Sequence, residues 1–358
     1  MMLDAATRDA AVRAAFRSQA ASCRALGSPF VATLCDLAAE RLTDTHPVGR
    51  RVLGWTGNPA SSADSVPLRL AGALHALVLD GADPDLAAVY PPRTTEPATL
   101  WEAVERACRD HAETILARLD SPPQTNEVRR SSALLPGFLT IAKRFGKPLC
   151  LSEVGASAGL NLHWDRFAYR LGDVAWGDPQ SPVRLTPDWT GATPPEAALR
   201  VQDRAGCDLR PLDPARSEDA ERLLSYLWAD QADRIARTRA AIAVAASSER
   251  KVEAADAVSW LQRRLAVPRP GCVHVVYHTI AWQYLSGEDR ERGEALIADA
   301  GRGATEAAPL ARLSLENDGT EPGAALTLQM WPTGERHEIG RADFHGRWVD
   351  WRGWPVLS

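Results

Sequence analysis

The chain has 358 residues, 45% of them hydrophobic and 24% charged, with a formal net charge of −5 at neutral pH. That length exceeds one typical domain and suits two, and the ordinary proportions exclude a disordered or fibrous chain. The acidic balance argues against a constitutive nucleic-acid binder, because phosphate recognition runs on basic surface.

In chain order, residues up to about 120 are predicted to be helices separated by proline-rich punctuation. Ser28-Pro29 starts the helix FVATLCDLAAERL, PLRLAGALHALVLDG gives another, and LWEAVERACRDHAETILARL places Trp101, Val104, Cys108 and Ile115 on one face. No alternating strand pattern occurs there, so residues 1–122 form a predicted helical domain that ends near Asp120-Ser-Pro-Pro, with Ser121-Pro-Pro-Gln124 expected to be an exposed linker. From residue 123 to 358 strands alternate with helices, which predicts an α/β domain with a partly parallel sheet. Helix 128–145 leads to a buried strand at 148–152. A glycine-rich turn and a helix carrying Leu160, Trp164, Phe167 and Leu171 come next. Residues 172–198, rich in Pro, Gly, Asp and Trp, form an inserted excursion. A strand reaching Gly206-Cys207-Asp208, a long helical segment 217–246, a strand Lys251–Asp256, a helix 258–265 and the strand CVHVVYH complete the alternation. Helix 288–300 then precedes the strands ARLSLE, ALTLQMW and HEIGRADF, the last two flanking a hairpin turn at Pro332-Thr-Gly334-Glu.

The six cysteines, at 23, 35, 108, 150, 207 and 272, include no C-x-x-C pair, so buried reduced thiols and no metal site are expected. The N-terminal MMLDAATRDAAVRAAFRSQ carries early acids and no apolar segment of a secretion signal. No run approaches the roughly 18 uncharged apolar residues of a spanning helix. A cytoplasmic protein without a membrane partner is the expectation.

The stretch Leu149-Cys-Leu-Ser-Glu153-Val-Gly155-Ala-Ser157-Ala-Gly159-Leu-Asn161 carries the chemistry. Small residues between a strand end and a helix start admit a ligand close to backbone, and the helix start offers N–H donors. Two chemistries use such a turn. Gly155-Ala-Ser157-Ala-Gly159 matches the G-x-S-x-G nucleophile elbow of α/β-hydrolases. Glu153, Gly155 and Gly159 match the E-x-G-x-x-x-G turn that cradles the methionine part of S-adenosylmethionine. An elbow sits in mid-sheet behind upstream strands, and nothing strand-like precedes residue 148, so the methyltransferase reading is preferred. Asp208 closes the next strand as the ribose acid, later than the roughly 20 residues usual in dinucleotide folds, which makes 172–198 an insertion. Asp256 with Ala257 closes the third strand as the adenine site.

The strings TNEVRRSSALLPG, LSEVGASAGLNL, GCDLRPLD, WADQADRIARTRAAI, HTIAWQYL and FHGRWVDW resemble the uncharacterised bacterial family known as domain of unknown function 2332. That family brings no established activity. What the resemblance implies is a class I, Rossmann-like methyltransferase domain behind a helical N-terminal region. Only GTEPG separates ARLSLEND from ALTLQMW, too short for a crossover helix, so the C-terminal sheet edge is expected to be an antiparallel meander.

Among remaining candidates, His278 ends CVHVVYH where open α/β sheets bind ligands, and a neutral imidazole there would serve as base; capping of the strand by the same ring is the plainer alternative. Tyr284, Arg130 and His345 are substrate candidates. Arg130 stands with Asn126, Glu127 and Arg129 before helix 128–145, where the arginines would pair with a carboxylate. His345 is flanked by acids and aromatics but has no metal-ligand partners at definite spacing. Trp348, Trp351 and Trp354 are expected to cover the sheet edge. The reading is a methyl transfer from S-adenosylmethionine to a small molecule, with Glu153, Gly155, Ser157, Gly159 and Asn161 around the cofactor's amino-acid half. A Ser157 esterase and a non-catalytic domain that keeps the fold are the alternatives.

Overall fold

Proline stands in the first turn of five successive helices near the N-terminus, where its missing N–H removes a donor that has no partner anyway. The computed structural model describes residues 4–249 and 252–355. Its first helices are α1 (Ala5–Ala25), α2 (Pro29–Arg41), α3 (Pro47–Leu53), α4 (Val66–Leu79), α5 (Pro84–Ala87), α6 (Pro97–Asp110) and α7 (Ala112–Leu119). None of the described residues up to 120 is in a strand. These helices bury a shared core that includes Phe16, Leu34, Leu74, Tyr90, Trp101 and Val104.

Beyond them lie α8 (Ser131–Phe145), β1 (Leu149–Val154), β2 (Ala168–Leu171), β3 (Val174–Trp176), β4 (Arg184–Leu185), β5 (Asp188–Gly191) and β6 (Val201–Asp208). Helices α9 (Ser217–Ser225) and α10 (Ala232–Ala246), strand β7 (Glu253–Ala254), helix α11 (Ala257–Leu265), strand β8 (Val273–Thr279) and helix α12 (Gly287–Arg302) follow. Strands β9 (Leu310–Glu316), β10 (Ala324–Trp331), β11 (Glu335–Ala342) and β12 (Trp348–Trp351) end the chain. The described residues divide into two units: those up to Thr125 with Ser217–Ala236, and Asn126–Arg216 with those from Arg237 onward. Residues 217–236 therefore belong with the N-terminal helices, where the sequence reading had put them in the α/β domain. Within that first unit Asp230 accepts hydrogen bonds from the Ser28 hydroxyl and the Phe30 N–H, which holds the start of α2. The expected linker is half-buried instead of exposed, with the Tyr226 hydroxyl donating to the Ser121 carbonyl.

The second unit is built on a nine-stranded, mostly parallel sheet in the order β5-β12-β11-β10-β9-β8-β1-β6-β7. From β1 the chain steps outward through β6 to β7, then returns to the other side of β1 for β8 and β9, so the strand order reverses between β1 and β8. Strands β1 and β8 are buried at every position, which fits their largely apolar, non-alternating composition: a parallel strand with both faces covered has no polar side to alternate with. From β9 the chain turns into an antiparallel meander through β10, β11 and β12, in line with the short GTEPG connection. The strand β12 and the parallel edge strand β5 were not foreseen; both are short, and Trp348 and Trp351 lie in β12.

Three further expectations need correction. No α-helix follows the glycine turn: Leu160–Arg166 is a 3₁₀ segment with non-helical backbone at His163, and Phe167 is already extended. Leu171 lies in β2, which joins β3 and β4 of the excursion in a separate three-stranded sheet. The predicted long helix 217–246 is broken into α9 and α10, and the third strand shrinks to Glu253–Ala254, its predicted start at Lys251 lying outside the described residues.

Candidate functional site

The carboxyl ends of β1, β6, β7 and β8 meet at the point of strand reversal, the position where open α/β sheets form a ligand crevice. The glycine turn leaves β1 there. Gly155, Ser157 and Gly159 all have positive φ, at 70°, 55° and 72°, a conformation that costs glycine little and serine more. Hydrogen bonds hold it. Ala156 N–H donates to the Cys207 carbonyl at 2.9 Å, and Ser157 N–H to Asp208 Oδ2 at 2.9 Å. Leu160 N–H donates to Asn126 Oδ1 at 2.8 Å.

Both glycines make room for protein atoms. A Cβ on Gly155 would lie 2.5 Å from the Ala281 methyl, and one on Gly159 would lie 2.9 Å from Val252 Cγ2. The Ser157 hydroxyl is buried and has no hydrogen-bond partner among the described residues, histidine included. Asp208 is half-buried at the end of β6, and its other oxygen accepts the Arg210 N–H at 2.9 Å. The structure thus brings Gly155, Ser157, Gly159 and Asp208 together.

Glu153 and Asn161 lie behind the turn. Asn161 accepts from the Ser131 hydroxyl at 2.8 Å and donates to the Glu127 carbonyl at 3.1 Å, tying the turn to the start of α8. The Tyr277 hydroxyl lies 3.2 Å from both Glu153 Oε2 and the Asn161 carbonyl. Burial pushes the Glu153 carboxyl up to about 8, against the opposing effect of the Tyr277 hydrogen bond, so it is mostly neutral at pH 7. A neutral carboxyl suits both contacts, since it can donate to Tyr277 while Tyr277 donates to Asn161.

Asp256 is exposed and caps α11, accepting the Ser259 N–H at 2.9 Å; that bond lowers its pKa. Ala257 is buried behind it. The register pairs Asp208 with Ala254, so Asp256 stands just past the neighbouring strand end, on the side of β6 away from β1.

His278 corrects the sequence expectation of a free base. In the parallel register Glu153 pairs with Tyr277 and Val154 with His278, so Tyr277 and His278 point to opposite faces of the sheet. His278 is 1% exposed and stacked on Trp282, their centroids 4.7 Å apart. Its Nδ1 lies 2.7 Å from Glu316 Oε1, and Nε2 accepts from the Arg312 guanidinium at 3.1 Å. Those partners assign the neutral Nδ1–H tautomer, consistent with a pKa lowered by burial. Both nitrogens are engaged, so no lone pair is left for substrate.

Of the tentative substrate residues, Tyr284 is 74% exposed and does not pack in the core. Arg130 donates to the carbonyls of Phe344 and Thr279, joining the β11–β12 turn to the end of β8. His345 sits in that turn, which Asp343 organises: its carboxylate accepts the His345 N–H and both guanidinium contacts of Arg347.

Glu316, which the sequence reading passed over, closes β9 beside His278. Its Oε1 accepts the Ala281 N–H at 3.0 Å and the Trp282 N–H at 3.1 Å, besides its His278 contact. Burial alone would raise its pKa, but these donors outweigh burial and leave it lowered. Beyond His278, Arg312 pairs with Glu294. Ile280, between β8 and these two N–H groups, has φ of 48°, an outlier for a β-branched residue. The signal that selected Asp208, an acid closing an apolar strand, was present in ARLSLE.

Among the described residues no cluster of His, Cys, Asp and Glu could hold a metal ion, and no helix is long and apolar enough to cross a membrane. The profile of the bacterial family described as "Uncharacterized protein conserved in bacteria (DUF2332)" matches residues 13–351, and the chain belongs to that family. No curated protein and no solved structure matches it.

Proposed function

We propose that this member of a family without an assigned activity binds an adenosine-type cofactor, S-adenosylmethionine, at the carboxyl ends of β1 and β6, and acts as a Rossmann-like methyltransferase on a small molecule. One observation carries the reading: Asp208 closes the strand beside β1 and is hydrogen-bonded into the glycine turn, next to the reversal of strand order. Two features fit the cofactor. The Ser157 hydroxyl is buried without a partner in the turn, available to a bound polar group. Each Asp208 oxygen has accepted one N–H of the two it can take, which leaves lone pairs for ribose hydroxyls.

The bound cofactor would supply an electrophilic methyl group. The chain's part is to hold and orient, with Asp208 on the ribose, Ser157 at the amino-acid half and Asp256 at the outer, adenine side. Glu153 and Asn161 support the turn from behind, and Gly155 and Gly159 let Ala281 and Val252 close on it. With His278 engaged on both nitrogens, the reading gives it no proton transfer and rests on positioning. The esterase alternative lacks its base, because no described residue hydrogen-bonds the Ser157 hydroxyl.

Titration calorimetry with S-adenosylmethionine and S-adenosylhomocysteine tests the proposal. Wild type should bind, and Asp208→Asn should bind at least about tenfold more weakly, because a charged acceptor is lost. Ser157→Ala should shift affinity by about 1 kcal/mol. Absence of heat with wild type overturns the cofactor assignment. Fluorophosphonate labelling that Ser157→Ala removes would instead establish the esterase.

A further inference from the structure

At the opposite end of the sheet, where β9 begins and β10 ends, the second unit contains a cavity of about 230 Å³. Its walls include Phe145 and Arg144 from the end of α8, Met330 and Trp331 from β10, Glu335 from β11 and Trp354 after β12. It lies far along the strands from the glycine turn, which leaves the carboxyl end of β1, and it shares no residue with that site.

The lining has a definite chemical character. Three aromatic rings and a thioether present electron-rich, polarisable surface, which attracts cations across ring faces. One cation already uses it: the Arg144 guanidinium sits 5.1 Å from the Phe145 ring centroid. Arg144 is balanced by Glu306 at 3.2 Å, so it leaves no net positive charge in the cavity wall. Glu335, half-buried in the same wall, has no ion-pair partner among the described residues. Its register places it opposite Met330, whose side chain is buried against the same face. Trp354 is held in place by an edge-to-face contact with His337, 4.6 Å between centroids at 87°. The cavity therefore combines aromatic walls with one uncompensated carboxylate.

We propose that this cavity is a second ligand site, which takes a small organic cation of the alkylated-ammonium class. A quaternary ammonium group has a large, weakly hydrated surface for the rings and a charge for Glu335, whereas a metal ion would demand several oxygen donors that the wall does not offer. The volume falls below the roughly 300–1,000 Å³ of pockets for drug-sized ligands and suits a compact head group.

Choline chloride is the probe, titrated into the full chain at constant ionic strength and followed by tryptophan fluorescence and ligand-observed NMR. Its neutral isostere 3,3-dimethylbutan-1-ol separates charge recognition from simple filling of an apolar hole. Wild type should show saturable choline binding, with the alcohol at least about fivefold weaker, and Glu335→Gln and Trp354→Ala should each weaken choline by a similar factor. Trp354 is half-exposed near the chain end, and an unchanged melting temperature would show that the variant still folds. No saturable binding, equal binding of choline and the alcohol, or wild-type affinity in both folded variants would overturn the proposal.

Discussion

Tyr277 and His278 are neighbours in β8, yet they look onto opposite faces of the sheet, and each meets a glutamate at a strand end. On one face Glu153 is fully enclosed with a tyrosine hydroxyl as its hydrogen-bonding neighbour, and burial raises its pKa to about 8. On the other face Glu316 is also deeply set but receives three donors, and its pKa is lowered. Burial penalises charge in both places; the number of N–H donors aimed at the carboxylate decides the outcome. Glu153 thus acts as a neutral structural group behind the turn, and Glu316 as an ionised clamp on the segment after β8.

The largest expected effect follows from removing the clamp. Glu316→Ala leaves the His278 ring N–H and the N–H groups of Ala281 and Trp282 without their acceptor, and exposes Arg312 to a rearranged neighbour. Chemical denaturation should show a loss of about 3–5 kcal/mol, because three N–H donors lose their acceptor at roughly 1–3 kcal/mol each. Glu316→Gln keeps one acceptor oxygen and should recover part of that. A loss below about 1 kcal/mol for the alanine variant would mean the clamp contributes little.

The two glutamates should also respond to pH with opposite signs. Glu153 has a folded pKa above its unfolded value, so the folded state holds the extra proton, and its contribution is lost as pH rises from the ordinary carboxylate range through about 8. Glu316 has a folded pKa below its unfolded value, so its contribution is present at neutral pH and is lost in acid. Replacing Glu153 by Gln should flatten the decline between pH 5 and 8, by on the order of 3 kcal/mol. If the stability curves of Glu153→Gln and wild type stay parallel over that window, Glu153 is not neutral in the folded protein.

Where the two sides meet, Ala281, held by Glu316, packs against Gly155. Gly155→Ala adds a methyl 2.5 Å from that of Ala281 at a φ of 70°. About 2 kcal/mol of destabilisation is expected from strain and overpacking together. Tyr284, three residues beyond Ala281 but 74% exposed, is the control: Tyr284→Ala should change stability by less than about 0.5 kcal/mol. An equal effect at both positions would remove the distinction between the packed and free parts of this segment.

Much of this was legible from residues alone. The apolar runs of β1 and β8, the glycine turn between strand and 3₁₀ segment, the acid at the end of β6 and the meander after β9 all have local signals. Patterns decided wrongly where side-chain spacing suited two structures: Leu160, Trp164 and Phe167 satisfy helical spacing, but Gly159 opens a 3₁₀ segment and the chain extends at Phe167. Residues 217–236 have a clear helical period, which says nothing about which core they join. His278 stood at the right strand end, but a single sequence cannot reveal that Glu316 and Arg312, remote along the chain, would engage both its nitrogens. The lone hydroxyl of Ser157 and the space filled by Ala281 likewise depend on contacts between distant segments.

The central claim is that an adenosine cofactor occupies the turn between β1 and the 3₁₀ segment, beside Asp208. Ultraviolet cross-linking with methyl-labelled S-adenosylmethionine, followed by peptide mapping, tests both the ligand and its place. The account predicts label on peptides covering residues 153–161 or 205–212, reduced by excess S-adenosylhomocysteine and in Asp208→Asn. Absence of specific label, or label confined to other peptides such as those around Trp331 and Trp354, would contradict it.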